Sequence, residues 1–234
     1  MLDKEQIFPS ISTCVGSDWR AMLIEAKKIG IKKAGLLLNC LTLKERAEFY
    51  DLLSSSGINE IPLIHMRNDM TEMELEYFSN EYGTKIFAAH PSAEYPLFEA
   101  MPKFQKNIFI ENTHTLFNEQ ELKRYGGICL NLSHLENERI GSKDRYDLFR
   151  QMIETYAIGC NFISAIKPQG QLVTEYKEYI RHDDYLLGEF SELDYLKNYP
   201  KEYFSGCIVL EMQNNLAAQI KAKDYIFDLL KNCW

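Results

Sequence analysis

A chain of 234 residues, 46% of them hydrophobic, can bury a sizeable core as one domain or two small ones. Its net charge of −8 argues against a broad nucleic-acid-binding face, although an acidic protein can still carry a local basic groove. No run approaches the ~20 apolar residues of a membrane span. Met1-Leu2-Asp3-Lys4-Glu5 has no apolar signal core; the six cysteines are scattered without a C-x-x-C, several of them inside apolar runs where they read as small core residues, and a reducing cytoplasm fits best.

In chain order, Pro9 to Gly16 reads as a first strand, and Ser17 or Asp18 caps a helix from Trp19 to Ile29 that Gly30 closes. Lys33 to Asn39 is a second strand, and Thr42-Leu43-Lys44-Glu45 is a capping box opening a helix that ends near Gly57. Ile61 to Arg67 is a third strand, followed by a second capping box, Thr71-Glu72-Met73-Glu74, and a helix to Gly83. Lys85 to His90 is a fourth strand, and Ala93 to Phe104 a short helix broken by Pro96 and Pro102. Asn107 to Asn112 is the fifth strand, Asn118 to Tyr125 a short helix, and Ile128 to Ser133 the sixth strand. Asp144 to Ala157 is helical, and Asn161 to Lys167 is the seventh strand. A long excursion then runs through Thr174 to Tyr179 and on to Arg181-His182-Asp183-Asp184. Ser191 to Tyr199 is a helix, Cys207 to Glu211 the eighth strand, and Leu216 to Leu230 an amphipathic closing helix. Strand–helix units recurring every roughly 25–30 residues predict a single α/β domain over the whole chain, a (β/α)8 TIM barrel. The rival, an open doubly wound sheet, usually has a Gly-rich phosphate turn after its first strand, which Cys14-Val15-Gly16-Ser17-Asp18 is not.

The strands end in an unusual way. Apolar runs stop on His65, His90, Glu111-Asn112, Asn131 and Glu211, and the C-terminal strand ends of a parallel barrel are where chemistry is built. All five histidines, His65, His90, His114, His134 and His182, fall at or just beyond that rim. Singly each reads as a hydrogen-bonded rim residue; together with the carboxylates they suit a zinc, manganese or iron site. Arg67 either binds a phosphate or carboxylate or pairs with Asp69, and Asn39 either lines the pocket or bonds a neighbouring loop.

These strand ends, in this order, resemble the xylose-isomerase-like barrel superfamily of sugar isomerases, epimerases and endonuclease IV. His65 stands at endonuclease IV's third-strand histidine, and His90-Pro91-Ser92-Ala93 resembles its His-Pro-Gly-Ser. Glu111-Asn112-Thr113 matches its Glu-Asn-Thr, Asn131-Leu132-Ser133-His134 resembles its Asp-Thr-Cys-His, and Glu211 matches the eighth-strand glutamate. His182-Asp183-Asp184 resembles an Asp-x-His motif with ligand types exchanged. The resemblance implies that His65, His90, Glu111, Asn131, His134, His182, Asp184 and Glu211 surround one or more divalent ions; Asn112, with Asn39 and Arg67 in the readings given above, is a candidate substrate contact, and a homodimer is compatible with the resemblance, although the chain itself shows no interface stripe.

The departures are at the ion shared by the family's epimerases. Its ligands there are Glu, Asp, His and Glu, whereas this chain has Glu111, Asn131, Ser164 (Ala165 if the strand is shifted by one) and Glu211. A unit charge ~4 Å away interacts at ~4 kcal/mol with an effective dielectric of ~20, so losing the aspartate and the imidazole weakens that ion. Lys167 is expected either to replace the cation between Glu111 and Glu211 or to point to solvent. Three functions follow in order: a sugar or sugar-phosphate isomerase or epimerase with Glu111 and Glu211 moving protons; an endonuclease-IV-like phosphodiesterase on abasic DNA; and a barrel that only binds a ligand.

Overall fold

A computed structural model of the chain describes residues 2–173 and 179–233. Its main sheet is parallel throughout, with nine segments: Ile7–Phe8, Ser10–Ser12, Gly35–Leu37, Leu63–His65, Ile86–Ala89, Ile108–Glu111, Ile128–Asn131, Ile158–Ile163 and Ile208–Leu210. The first two are one strand interrupted at Pro9, which has no N–H to give to a ladder. Ile7 on one side of the interruption pairs with Ile208, and Ser10 on the other pairs with Gly35. The broken strand therefore joins the last strand to the second and closes an α/β TIM barrel of eight strand positions, numbered here one to eight.

Alternation along each strand decides what meets inside the barrel. Leu63, Ala88, Cys129 and Val209 belong to a small apolar cluster within it, together with Phe8, Leu37, Cys160, Phe162 and Cys207. Their successors Ile64, Ala89, Leu130 and Leu210 turn outward into the larger core beneath the helices. The next residues, His65, His90, Asn131 and Glu211, turn inward again at the C-terminal mouth. Ile110 and Glu111 repeat the pattern on strand five. A dry apolar floor thus lies directly below a polar layer. Gly35 is part of how the floor closes: a Cβ there would stand 2.5 Å from Cγ1 of Val209. Gly35→Ala is expected to destabilise the barrel by about 1–3 kcal/mol, read as a lower urea midpoint at unchanged m-value.

The helix starts follow the local chemistry that the sequence advertises. Asp18 accepts from the backbone N–H of Ala21 to open Trp19–Ile29, and Gly30 closes it in the left-handed conformation with φ 77°. Thr42 with Glu45 and Thr71 with Glu74 form reciprocal capping boxes for Leu43–Ser56 and Glu72–Tyr82. Among the described residues no helix is long and apolar enough to cross a membrane.

Four elements differ from expectation. Ala93 to Phe104 forms turns rather than a helix, ahead of a single 3-10 turn at Gln105–Asn107, because Pro96 and Pro102 withhold donors. Strand six stops at Asn131, and a helix not anticipated, Leu132–Gly141, starts at once and carries Ser133 and His134 in its first turn. Strand seven ends at Ile163; after Ser164 the chain enters an antiparallel pair, Ala165–Val173 with Tyr179–Asp184. The middle of that excursion, 174–178, lies outside the described residues. Finally, Phe190–Asn198 is 3-10, and no side chain caps its start.

Candidate metal and proton-transfer site

Strands three, four, five, six and eight deliver His65, His90, Glu111, Asn131 and Glu211 to one buried cluster, and the first turn of Leu132–Gly141 adds His134. Glu111 is its centre and is fully buried. Its Oε2 lies 3.1 Å from His65 Nε2 and 3.5 Å from His90 Nε2, and its Oε1 lies 3.5 Å from His134 Nδ1. Glu211 faces it across the barrel, with Oε1 3.8 Å from His65 Nδ1. The amide nitrogen of Asn131 donates to Glu111 Oε1 and to Glu211 Oε2, each at 2.8 Å. Phe162 from the apolar floor packs under His65 with ring centroids 5.1 Å apart, and His90 meets His65 edge-on at 4.8 Å.

Charge in this cluster is unevenly shared. Burial alone would raise both carboxyls. Around Glu111 that effect is outweighed by His65, His90 and His134, which hold its carboxyl far below the usual range. Glu211 keeps the effect of burial and adds the neighbouring Glu111 charge, so its carboxyl is pushed up to about 7. Burial would lower His65 and His134 too, yet the facing carboxylates raise both, Glu111 and Glu211 for His65 and Asp183 and Glu111 for His134. His90, buried and beside His65, falls to about 4. One glutamate is a fixed anion and the other is poised to titrate near neutrality, the separation that lets two like groups take different roles.

Not every residue singled out from the sequence reaches this cluster. Lys167 sits on the antiparallel pair, where its Nζ donates to the Leu186 carbonyl at 2.7 Å and to Glu192 at 2.8 Å; it does not stand between the glutamates. His182 donates from Nδ1 to the Lys167 carbonyl at 3.0 Å, and Asp184 accepts from the Leu186 N–H at 2.9 Å. Their neighbour Asp183 turns inward instead: its Oδ2 is 3.6 Å from His134 Nε2 and accepts two bonds from Arg181 at 2.9 and 2.7 Å. The ladder is irregular between Arg181 and Asp183, and there Asp183, held by Arg181, is the carboxylate that meets His134, while His182 and Asp184 bond to backbone groups of the excursion. Asn112 is spent on structure, clasping the Asn131 backbone through both ends of its amide at 3.0 and 2.7 Å. Arg67 pairs with Asp69 at 3.2 Å, and Asn39 lies at the rim as an acceptor for the Cys14 thiol at 3.9 Å. Ser164 is buried and donates to Ser133, 2.7 Å away, which donates in turn to Asn131 Oδ1 at 2.6 Å. His114 stays outside, 3.6 Å from Glu94.

The fold is an α/β TIM barrel, and its C-terminal mouth carries a buried His/Glu layer that could hold a metal ion. No family model matches the chain, and no curated protein matches it. Among solved structures it is similar to a xylose isomerase-like TIM barrel protein from Mycobacterium smegmatis in complex with magnesium, at 11% identity and a TM-score of 0.52, covering 100% of this chain and 99% of that one. It also aligns over 97% of its length with 42% of a xylose isomerase-like TIM barrel/4-hydroxyphenylpyruvate dioxygenase fusion protein, at 12% identity and a TM-score of 0.47. Identities this low establish the fold alone, so the chemistry has to be argued from the side chains.

Proposed function

We propose that the protein is a divalent-metal-dependent isomerase or epimerase of a small sugar or sugar phosphate, with Glu211 as the group that moves the proton. The observation that carries this reading is the Glu111–Glu211 pair, in which one carboxyl is held ionised and the other is raised to about 7 beside two histidines. His65, His90 and Glu111 place ligand atoms within 4.8 Å of one another. Both ring nitrogens of His65 and Oε2 of Glu111 are buried and make no well-formed hydrogen bond, although Nε2 and Oε2 face each other at 3.1 Å; a cation engaging these atoms would satisfy them more fully. Two imidazoles and a carboxylate suit zinc, manganese or iron and leave coordination positions open. Held by His65, His90 and Glu111, such an ion would supply Lewis-acid polarisation of a substrate carbonyl.

The chain's own residues supply the rest. Glu211, its carboxyl raised toward neutrality by burial and by Glu111, accepts a proton from the carbon beside the carbonyl and returns it to the neighbouring carbon for isomerisation, whereas epimerisation takes a second donor from the opposite wall of the barrel, where Glu111 stands. Asn131 holds both carboxylates in place, and Phe162 and the residues beneath it keep water out of the floor. His134, whose imidazole burial would lower but Asp183 and Glu111 raise, is placed to donate to a substrate oxygen. The test is proton exchange: aldoses, ketoses and their phosphates incubated in D2O with the protein and manganese, zinc or iron. Deuterium is expected at the carbon next to the carbonyl for at least one sugar, and not with His90→Ala. A metal-loaded protein that exchanges no member of the panel would sink the isomerase reading. The His65, His90 and Glu111 trio also favours a second reading, phosphodiester hydrolysis at abasic DNA, for which cleavage of an abasic duplex is the direct assay.

A further inference from the structure

Glu111, His134 and Glu211 also bring ligand atoms within 4.8 Å of one another, which on distance alone makes a second place for a cation. The hydrogen bonds argue otherwise. The Asn131 amide nitrogen lies between the two glutamates and donates one hydrogen to each, at 2.8 Å on both sides. An amide has its donor and acceptor at opposite ends, so the question is which end faces the carboxylates. The other end answers it: Asn131 Oδ1 accepts from the Ser133 hydroxyl at 2.6 Å and from the backbone N–H of His134 at 3.3 Å, as the cap of helix Leu132–Gly141. A backbone N–H can only donate, so the oxygen is fixed toward the helix and the two N–H groups are fixed toward the glutamates. Ser164, donating to Ser133, locks the hydroxyl that completes this chain. His134 is similarly committed. Its Nδ1, the nitrogen nearest Glu111, lies 3.0 Å from the carbonyl of Asn112, which can only accept, so that nitrogen carries a hydrogen and has no lone pair for a metal.

We infer that Asn131 closes the gap between Glu111 and Glu211 to metal, its amide hydrogens standing in for a second cation, so that the centre takes a single divalent ion at His65, His90 and Glu111. The single-ion half rests on the metal reading proposed above; the exclusion by Asn131 does not.

The experiment is manganese stoichiometry, measured by elemental analysis after MnCl2 loading and desalting, and thermal unfolding with MnCl2 or EDTA. Wild type is expected to retain one equivalent and His90→Ala none. Asn131→Asp keeps the helix cap but turns a third carboxylate oxygen toward the glutamates. It is expected to retain two equivalents, to melt below wild type in EDTA, and to gain more from manganese than wild type does. Asn131→Ser, which keeps a capping oxygen and vacates the gap, is the second variant should Asn131→Asp fail to fold, and is also expected to take two. Two equivalents in wild type would overturn the inference while leaving metal dependence intact. One equivalent in wild type and in both variants would overturn it as well. None in wild type but one in Asn131→Asp would sustain the exclusion and sink the metal reading of His65, His90 and Glu111.

Discussion

Glu211→Gln is expected to abolish turnover while making the metal-free protein more stable. Glutamine keeps an acceptor for the Asn131 amide, now at 2.8 Å from Glu211, and removes only the charge and the proton. Loss of a general acid–base group typically costs ~10²–10⁴ in rate. The stability gain comes from the same carboxyl. Glu211 titrates at about 7 in the fold because burial and Glu111 both oppose its ionisation, whereas an unfolded glutamate titrates near its ordinary value of 4.5. Between those two values the folded chain binds more protons than the unfolded one, so raising the pH removes stability, and above about 7 the loss is complete. Wild type in EDTA should therefore lose thermal stability from pH 5 to pH 7, and Glu211→Gln should lose much less. At pH 8 the variant should exceed wild type by roughly 1–3 kcal/mol, or ~2–4 °C per kcal/mol for a chain of this size. A residual decline above pH 6.5 belongs to His65 and His134, whose raised values make their stabilising charge present at low pH and lost as they deprotonate. A variant that melts at or below wild type across this range would show that Glu211 is not an ionisation held against its surroundings.

The barrel and most of its mouth were legible from the sequence because both depend on local, periodic features. Capping boxes at Thr42 and Thr71 and the closing Gly30, Gly57 and Gly83 act within one turn of chain, and each does in the fold what its sequence implies. The inward polar residues at the strand ends follow from period-2 alternation, which needs no tertiary knowledge once the strand is located. The hidden parts are those where two patterns overlap. Asn131 reads as the end of a strand because Leu130 and Leu132 flank it, yet it is also the cap of Leu132–Gly141, and a residue serving both elements leaves no spacer to mark the boundary. That dual role is what aims its amide at the glutamates. The excursion after strand seven misleads differently. Ala165–Val173 is largely exposed, with no regular hydrophobic alternation to set its face, and the ladder it forms is irregular between Arg181 and Asp183, so the sequence could not tell Asp183 from Asp184 as the inward carboxylate. Lys167 would reach the mouth only if strand seven ran straight on; the strand ends at Ile163, and Lys167 pairs with Glu192 instead.

Glu111→Gln, the same chemical change on the opposite wall, is expected to have the opposite effect on stability. The Glu111 carboxylate lies within 3.5 Å of three imidazoles, and it is their attraction, overcoming burial, that holds it ionised. Removing the charge leaves His65 and His134 facing each other's fields with Glu211 as the remaining glutamate, and breaking a buried ionic cluster from one side typically costs ~3–5 kcal/mol. In EDTA near pH 6, where those histidines are charged, Glu111→Gln should melt roughly 6–20 °C below wild type. The pH dependence follows from the same group: a carboxyl lowered by folding contributes stability above 4.5 that disappears only as pH falls through its depressed folded value. Wild type should thus lose that contribution on acidification below 4.5, and the variant, lacking it already, should show a flatter acid limb. Histidine titrations followed by NMR provide the independent readout, with the His65 and His134 values expected to drop once the central anion is gone. Parallel behaviour of Glu111→Gln and Glu211→Gln, both stabilising or both destabilising by similar amounts, would refute the unequal division of charge on which the separate roles of ligand and proton carrier depend.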